Sequence, residues 1–574
     1  MAYERNFTLL NNKFKELFFP TLIASIAGNF AVLADAFFIS FFMGPMYLAV
    51  VQSIEPLVTF VNVLYWLIGF GGSILCTMAR AEFDETKSNT IFTISIIAMW
   101  IIGLAISASA LLFSDSFLAA LSQSPELTPL VADYFFWYVI GIPFTCYMIC
   151  LAYFIRTDGF IGLQFRAFLL NNVVNVVFNA ILLAVFHWGV SGAAIATSLG
   201  SIVSSIYITT YFFDAKRSLK FIKVKTSQII GNLIDIVKAG FSGASIPLYI
   251  SLKLIVLNSL VYMLFDDMGL SAFNMCYNTT FLVSIFIFGT TQSLLPIVAI
   301  YYKEEDYHGV SYVVHRSLKF VVIFGLFFSL LFSIFPQAIL FLFSVSDPEH
   351  IPFIMNAVRI FSLSILAYGI NFLYIFYTQA VQYNKLSNVI TLIEGFIFPV
   401  LFAYLLTSVV GPDGFWISFI VSELVTLLFI YLYSRYKHKK SNGEYSGFFL
   451  IKETDEHSTL EFTIDGSKDS AKNISDDVHE FLSDSRASDD VCFALEEILN
   501  HIIDINESID LIDIIIKDKP DSLVISMKYS GVGFNPIEDR DKDLEIIKRI
   551  DEIADNIDYS QILGLNNTVI TINH

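Results

Sequence analysis

The sequence predicts an all-α polytopic membrane protein of twelve transmembrane helices in two six-helix bundles, followed by a small C-terminal α+β sandwich domain. Three observations carry this expectation. Of 574 residues, 55% are hydrophobic, 57 are Phe and only 15% are charged, whereas soluble domains hold about 25% charged residues. Apolar runs long enough to cross a bilayer recur up to residue 440. Beyond that point the texture changes, and all of the net charge of −19 is concentrated there.

Crossing about 30 Å of hydrocarbon as a helix takes about 20 apolar residues. Such stretches lie near 17–42, 47–69, 90–113, 130–155, 165–187, 190–213, 239–265, 270–300, 314–344, 352–382, 386–409 and 414–436. The segment before the first of them, MAYERNFTLLNNKFKEL, is polar and shows no cleavage signal, so insertion is expected to rest on the first span. The connections alternate in charge. One set carries Arg80 and Lys87, Arg156 and Arg166, six cations between Lys216 and Lys238, Lys303, Arg316 and Lys319, Lys385, and Arg435 to Lys440. The other carries Asp115 and Glu126, Asp266 and Asp267, Asp347 and Glu349, and Asp413. Cationic loops stay cytoplasmic, so both termini are expected in the cytoplasm.

A weak repeat at an offset of about 220 residues divides the apolar region. FFMGPMYLA is similar to FDDMGLSAF, GFGGSILCTMA to FGTTQSLLPIVA, and GVSGAAIATSLGS to GPDGFWISFIVSE. The expected organisation is therefore a first half over 1–220, a second over 221–440, a linker over 441–458 and a soluble domain over 459–574. The five Cys residues show no Cys-x-x-Cys spacing, so neither a disulfide framework nor a metal site is expected. The tail holds 30 acidic against 11 basic residues, which argues against nucleic acid as its partner.

Several segments resemble the multidrug and toxic-compound extrusion (MATE) family of cation-coupled exporters. FPTLIASIAGNFAVLADAFFISFFMGPMYLAVVQSIEP resembles that family's first helix, and GFGGSILCTMARAEFDETK its Gly-rich second helix with the cytoplasmic loop that follows. NVVNVVFNAILLAVFHWGVSGAAIATSLGS resembles the fifth-to-sixth helix signature, and GTTQSLLPIVAIYYKEED a segment of the second half. The resemblance covers residues 10–436. It implies outward export of a small organic, cationic substrate driven by a proton or sodium gradient, with no bound cofactor and the lipid bilayer as surroundings. The family's first-helix acid maps to Asp35 and its fifth-helix Asn to Asn175; the acid expected four residues later is Asn179. The implied cation or proton coupling set is thus Asp35, Asn175 and Asn179, with Pro20 as a point where the first helix bends.

Charged groups inside a membrane cost about 2.5–3.5 kcal/mol each on insertion scales and therefore mark functional or paired sites. Asp35 reads as the principal titrating group, or as a packing carboxylate bonded to Asn175. Glu55 and Lys253 read as an ion pair across the two halves or as substrate contacts. Asn258, Glu394 and Glu423 are further candidate contacts. Asn171, Asn175 and Asn179 share one helix face.

In the tail, EFTID, LIDIIIKD, SLVISMKYS and NTVITI read as strands. AKNISDDVHEFLSDS, SDDVCFALEEILNHIIDIN (with Ser488 as N-cap) and LEIIKRIDEIADNI read as helices. The order resembles the GHKL ATPase domain of anti-sigma-factor kinases. ALEEILN places Glu496 at the catalytic acid and Asn500 at the magnesium-binding Asn, and SGVGFNP supplies Gly531 and Gly533. Tyr529 replaces the adenine-binding Asp, and the second box, DKDLEII, has no Gly to let backbone approach phosphate. The expectation is a degenerate nucleotide site that binds neither ATP nor magnesium, in a regulatory domain that takes a protein partner; the chain is not expected to be an enzyme. Competing readings are a lipid-linked oligosaccharide flippase, which calls for several cations in its cavity, and a membrane-bound signalling ATPase or kinase, which calls for intact nucleotide boxes.

Overall fold

The computed structural model describes all residues except 1–3, 44–49, 52, 122–127, 343–350, 455–457, 483–487, 507–508, 534, 536–552 and 574. The first helix, α1, runs Thr8–Met43 with Pro20 inside it. It is followed by α2 (Pro56–Ala81), α3 (Glu85–Leu112), α4 (Thr128–Thr157), α5 (Ile161–Val185) and α6 (Gly189–Phe213). The second series comprises α7 (Gly243–Asp266), α8 (Met275–Lys303), α9 (Tyr307–Ile334), α10 (Ile351–Ser362 continuing as Ile365–Ala380 after a 42° bend), α11 (Asn384–Val410) and α12 (Gly414–Lys440). Among the described residues, 10 helices are long and apolar enough to cross a membrane, or 11 if the bent α10 is one span. The helical run from Thr226 to Lys303 is interrupted at Asp266, which has φ 54° and ψ −150°. That break falls in the acidic connection expected between the seventh and eighth spans.

Two spans are placed differently from their sequence expectation. The second was read as 47–69, but α2 continues to Ala81. A π-helical turn at Trp66–Phe70 carries it into the Gly71–Ala81 segment, where ten residues are buried by packing. Gly71 permits this packing. A Cβ on it would lie 2.5 Å from the Gly240 backbone nitrogen, and one on Gly240 only 2.1 Å from the Leu67 carbonyl oxygen. Only glycine lets two helix backbones approach so closely. The ninth span, read as 314–344, ends at Ile334, ahead of Pro336, because a proline removes the donor that continuation needs.

The apolar interior falls into two clusters. One is built from residues between Val50 and Ile236. The other joins Leu10, Phe14, Leu17 and Phe18 of α1, Phe70, Ile74 and Met78 of α2 and Ile161 of α5 to residues between Leu257 and Ile451, and to Ile562 and Leu563 of the tail.

The stretch 441–458 was expected as a linker. Instead it holds a short antiparallel hairpin, β1 (Tyr445–Ser446) and β2 (Ile451–Lys452). Its tip buries Phe449 and Leu450, with Phe449 stacked on Tyr374 at 5.6 Å. The polar residues of this segment hid the apolar FFLI run that anchors it.

The tail folds as a five-stranded antiparallel sheet in the order β3-β4-β5-β7-β6. These strands are Thr459–Ile464, Ile512–Lys519, Ser522–Tyr529, Leu565–Asn573 and Asn556–Ile562, respectively. Helices α13 (Lys468–Phe481) and α14 (Ser488–Ile505) pack an apolar face against it. Ser467, not a residue of the expected helix, caps α13 by accepting from the Ser470 amide. Ser488 is the first residue of α14. The helix expected over 544–557 lies mostly outside the described residues, but its last two positions, Asn556 and Ile557, begin β6, a strand that sequence reasoning missed. Alternation there is weak, because β6 is an edge strand whose middle residues are only half-buried.

Candidate functional site: a charged cavity and a docked tail

A cavity of about 860 Å³ opens among helices of both series. Pro20 and Ser25 of α1, Asn62 of α2, Tyr153 and Arg156 of α4 and Gln164 of α5 form one side. Lys253 of α7, Tyr277, Phe288 and Gln292 of α8, Tyr368 of α10, Glu394 of α11 and Glu423 of α12 form the other. Several structural irregularities occur in this wall. The bend of α10 lies between Phe361 and Ile365, which line the cavity with Ser364. Glu394 sits on the π-helical turn Ile393–Ile397, a distortion that turns a side chain out of the regular α-helical register and recurs at functional sites.

Glu394 and Glu423 are 6% and 7% exposed. Each lies in the electrostatic field of Lys253, and Glu423 also in that of Glu394. The Asn371 side-chain amide donates to Glu423 Oε2 at 2.7 Å and to the Glu423 carbonyl at 3.1 Å. Two buried carboxylates near one amine, in a wall of Tyr and Phe, make this side of the cavity acidic and aromatic, with Arg156 on the other side. Such a surface attracts organic cations through charge and through the negative faces of the rings. Lys253 thus lies in the field of Glu394 and Glu423, while its expected partner Glu55 begins its helix segment with a side chain outside the described residues.

Asp35 falls on α1, and its side chain is outside the described residues. Asn175 and Asn179 are buried on α5. Asn175 Nδ2 donates to Thr197 Oγ1 at 3.1 Å, and Asn179 Nδ2 to Asn175 Oδ1 at 3.4 Å. Neither Asn appears in the cavity wall. Asn258 is likewise off the wall, and its buried Oδ1 has no hydrogen-bond partner among the described residues.

Arg156 and Gln292 are wall residues that sequence reasoning did not single out. Arg156 was counted as a loop cation, yet it occupies the last turn of α4 at 3% exposure. Gln292 stands within the GTTQSLLPIVA segment, where a single amide in an apolar run gives no signal of its own.

A second concentration of charge joins the tail to the helical region. Arg5 donates to both carboxylate oxygens of Asp306, at 2.9 and 2.8 Å, and to Glu461 at 3.1 Å. It also lies 3.6 Å from Asp513. Lys528 pairs with Glu304 at 2.5 Å and sits 3.8 Å above the Tyr301 ring. Lys517 donates to the Glu304 carbonyl and Lys519 to Glu305, both at 2.7 Å. The sheet reaches the first helical series as well. Arg80 binds both Asp158 and the Gln561 carbonyl, and Gly159, at φ +89°, abuts Gly564. Burial works against an ionised Asp306, but the charge and hydrogen bonds of Arg5 hold its carboxyl well below the usual range. Burial pushes Glu304 and Asp513 upward.

Within the tail, Glu496 and Asn500 lie one turn apart on α14, both half-buried. Gly531 has φ +125°, and a Cβ there would strike Asn506 Oδ1. One on Gly533 would strike the Tyr559 hydroxyl. Asn566 donates to the Gly531 carbonyl at 3.1 Å, and Asn506 holds both the amide and the carbonyl of Val532. The chain's own side chains therefore pack against this loop, while Tyr529 is fully buried in the sheet core.

The MatE family model matches residues 20–181 and 247–405. The multidrug export protein MepA of Staphylococcus haemolyticus is 22% identical over 411 residues, covering 71% of this chain and 89% of that protein. MepA of Staphylococcus saprophyticus is 22% identical over 422 residues, covering 72% and 92%. A solved multidrug resistance MATE transporter of the MOP superfamily, in an outward-facing conformation, superposes with a TM-score of 0.69 at 20% identity. That alignment covers 75% of this chain and 96% of the other. The tail sheet lies beyond both stretches matched by the family model.

Proposed function

This chain belongs to the MatE family of membrane transporters, and on that premise we propose that it is a multidrug exporter of organic cations driven by proton or sodium antiport. The observation that carries the reading is the aromatic cavity whose wall holds Glu394, Glu423 and Lys253 in one another's field. The relatives named as multidrug export proteins support it. α1 supplies the twelfth span, and the helices divide into two bundles of six at residues 220–221, with both termini in the cytoplasm. The charge alternation of the connections supports this orientation. Among the described residues the cavity wall offers two cations, Lys253 and Arg156, offset by two acids, which speaks against the flippase reading, whose pyrophosphate-bearing substrate calls for several cations.

Coupling is assigned to Asp35 on α1, supported by Asn175 and Asn179, with Pro20 as the bending point. The buried Asn175–Asn179 pair on α5 and the place of Pro20 in the cavity wall support that assignment. The tail acts as a cytoplasmic regulatory domain by docking rather than by hydrolysis. Its sheet touches the connections after α2, α4 and α8, so it couples both halves, and the glycine loop at Gly531 and Gly533 is packed by protein.

The test is efflux of a fluorescent organic cation from proteoliposomes under separate proton and sodium gradients. Wild type should extrude the dye under one gradient, and Asp35→Asn should abolish this while still inserting and binding dye. Wild-type efflux in Asp35→Asn would move the coupling site elsewhere.

A further inference from the structure

Arg156 and Gln292 meet in the cavity wall at 3% and 2% exposure. Arg156 Nη1 donates to Gln292 Oε1 at 2.9 Å. A guanidinium only donates, so this contact fixes the amide: the oxygen faces Arg156 and Nε2 is left as a donor. Gln292 Nε2, Arg156 Nε and Arg156 Nη2 are all buried with no acceptor among the described residues.

Buried donors without acceptors are rare in native proteins and call for a specific explanation. A cation in the last turn of a helix does complement the helix dipole. That role would direct the guanidinium to the terminal carbonyls, yet its recorded hydrogen bond goes to a side chain on another helix. The ring of Tyr153 lies 5.8 Å from the guanidinium carbon and supplies no strong acceptor.

The free atoms have a recognisable geometry. Nε and Nη2 form the side-on edge of a guanidinium, the edge that takes both oxygens of a carboxylate in parallel hydrogen bonds. Gln292 Nε2 adds a third donor beside it. This edge is buried, and engaging a ligand requires Arg156 to turn it toward the cavity. We propose that Arg156 and Gln292 form an anion subsite in the cavity wall, which takes the carboxylate of an amphoteric organic substrate whose cationic end is held by Glu394 and Glu423. The four charged wall groups then balance: two acids for the cation, Arg156 for the anion, and Lys253 between the acids. The assignment rests on the export reading for the cationic end of the ligand only.

The experiment compares a carboxy-rhodamine with its methyl ester, one skeleton with and without the anion. Full-length protein in nanodiscs is titrated with each dye and binding is read by fluorescence polarisation. Wild type should bind the acid more tightly than the ester. Arg156→Gln should weaken the acid about tenfold and the ester far less, because only the acid loses a charge-assisted bidentate contact. Arg156→Lys should recover part of the loss. Gln292→Met, which cannot donate, should weaken the acid selectively and serves the same comparison where Arg156→Gln does not fold. Equal loss of both dyes, or no acid preference in wild type, would overturn the subsite. Acid preference without gradient-driven efflux of either dye would sink the export reading and leave the subsite standing.

Discussion

At the tail interface, Arg5 faces three carboxylates, Asp306, Glu461 and Asp513, and Lys528 faces Glu304. In the cavity, Arg156 meets one neutral amide and keeps two nitrogens without acceptors, while Glu394 and Glu423 share the field of a single lysine. Both regions bury charge, at a desolvation penalty of several kcal/mol per ion. One answers that penalty with opposite charges from its own chain, although Arg5 Nε and Lys528 Nζ still lack hydrogen-bond acceptors among the described residues; the other gives Arg156 no carboxylate among the described residues. The difference teaches how to read each: paired charges hold two parts of one protein together, and an arginine without a counter-charge is completed by something that comes and goes.

The contrast can be broken most easily at Arg5. Arg5→Ala strands three carboxylates at a buried contact and should weaken docking by about 3–5 kcal/mol. The exposed pair Glu305–Lys519 gives the readout. With Glu305→Cys and Lys519→Cys in place, and the native cysteines buried, a bis-maleimide long enough to replace the reach of the Lys and Glu side chains should cross-link them efficiently in the otherwise wild-type protein and fail in Arg5→Ala. Undiminished cross-linking would show that the network is not what docks the tail.

Gly71→Val addresses the packing between α2 and the helix leading into α7 instead. With the Gly240 nitrogen 2.5 Å from the added Cβ, overpacking should lower stability by about 1–3 kcal/mol. The expected result is a lower Tm in detergent, and an unchanged Tm would mean the helices separate freely at that crossing.

Acidification should have a smaller effect, and its sign follows from the shifts. Asp306 is depressed, so its contribution to docking is present above the ordinary carboxylate range and is lost only as pH falls through its lowered value, in strong acid. Glu304 and Asp513 are raised, so the docked state takes up protons more readily and their contribution grows as pH falls toward that range. Cross-linking should therefore persist from neutral to mildly acid pH; release over that window would contradict the assignment.

The smallest effect is expected at Glu496 and Asn500, where the sequence leads one to expect a degenerate nucleotide site. Glu496→Ala and Asn500→Ala should leave dye efflux and cross-linking unchanged. Calorimetry of the full-length protein should detect no micromolar ATP binding, and binding abolished by either variant would restore the tail as an ATPase candidate.

Much of the helical layout was legible because hydropathy over about 20 residues and loop charge are both local signals. The break at Asp266 is an example. What was not legible depended on helices meeting in space. Glu394, Glu423 and Lys253 stand on three helices distant in sequence, and nothing in their spacing announces one cluster. Arg156 was disguised by its place at a span end, where cations are ordinary. The apolar FFLI run at 448–451 was absorbed into a polar average, and β6 lacked the alternation that a half-buried strand normally shows.

The most direct measurement sets both regions against both functions. Dye binding and tail cross-linking are recorded for the same four proteins: wild type, Glu423→Gln, Arg5→Ala and the double variant. Glu423→Gln should lose organic-cation binding by about tenfold, the scale of one charge-assisted contact, and keep its cross-link. Arg5→Ala should lose the cross-link and keep dye binding, and the double variant should show both losses independently. Loss of cross-linking in Glu423→Gln with unchanged dye affinity would contradict the division of the buried charges into a ligand site and a docking site.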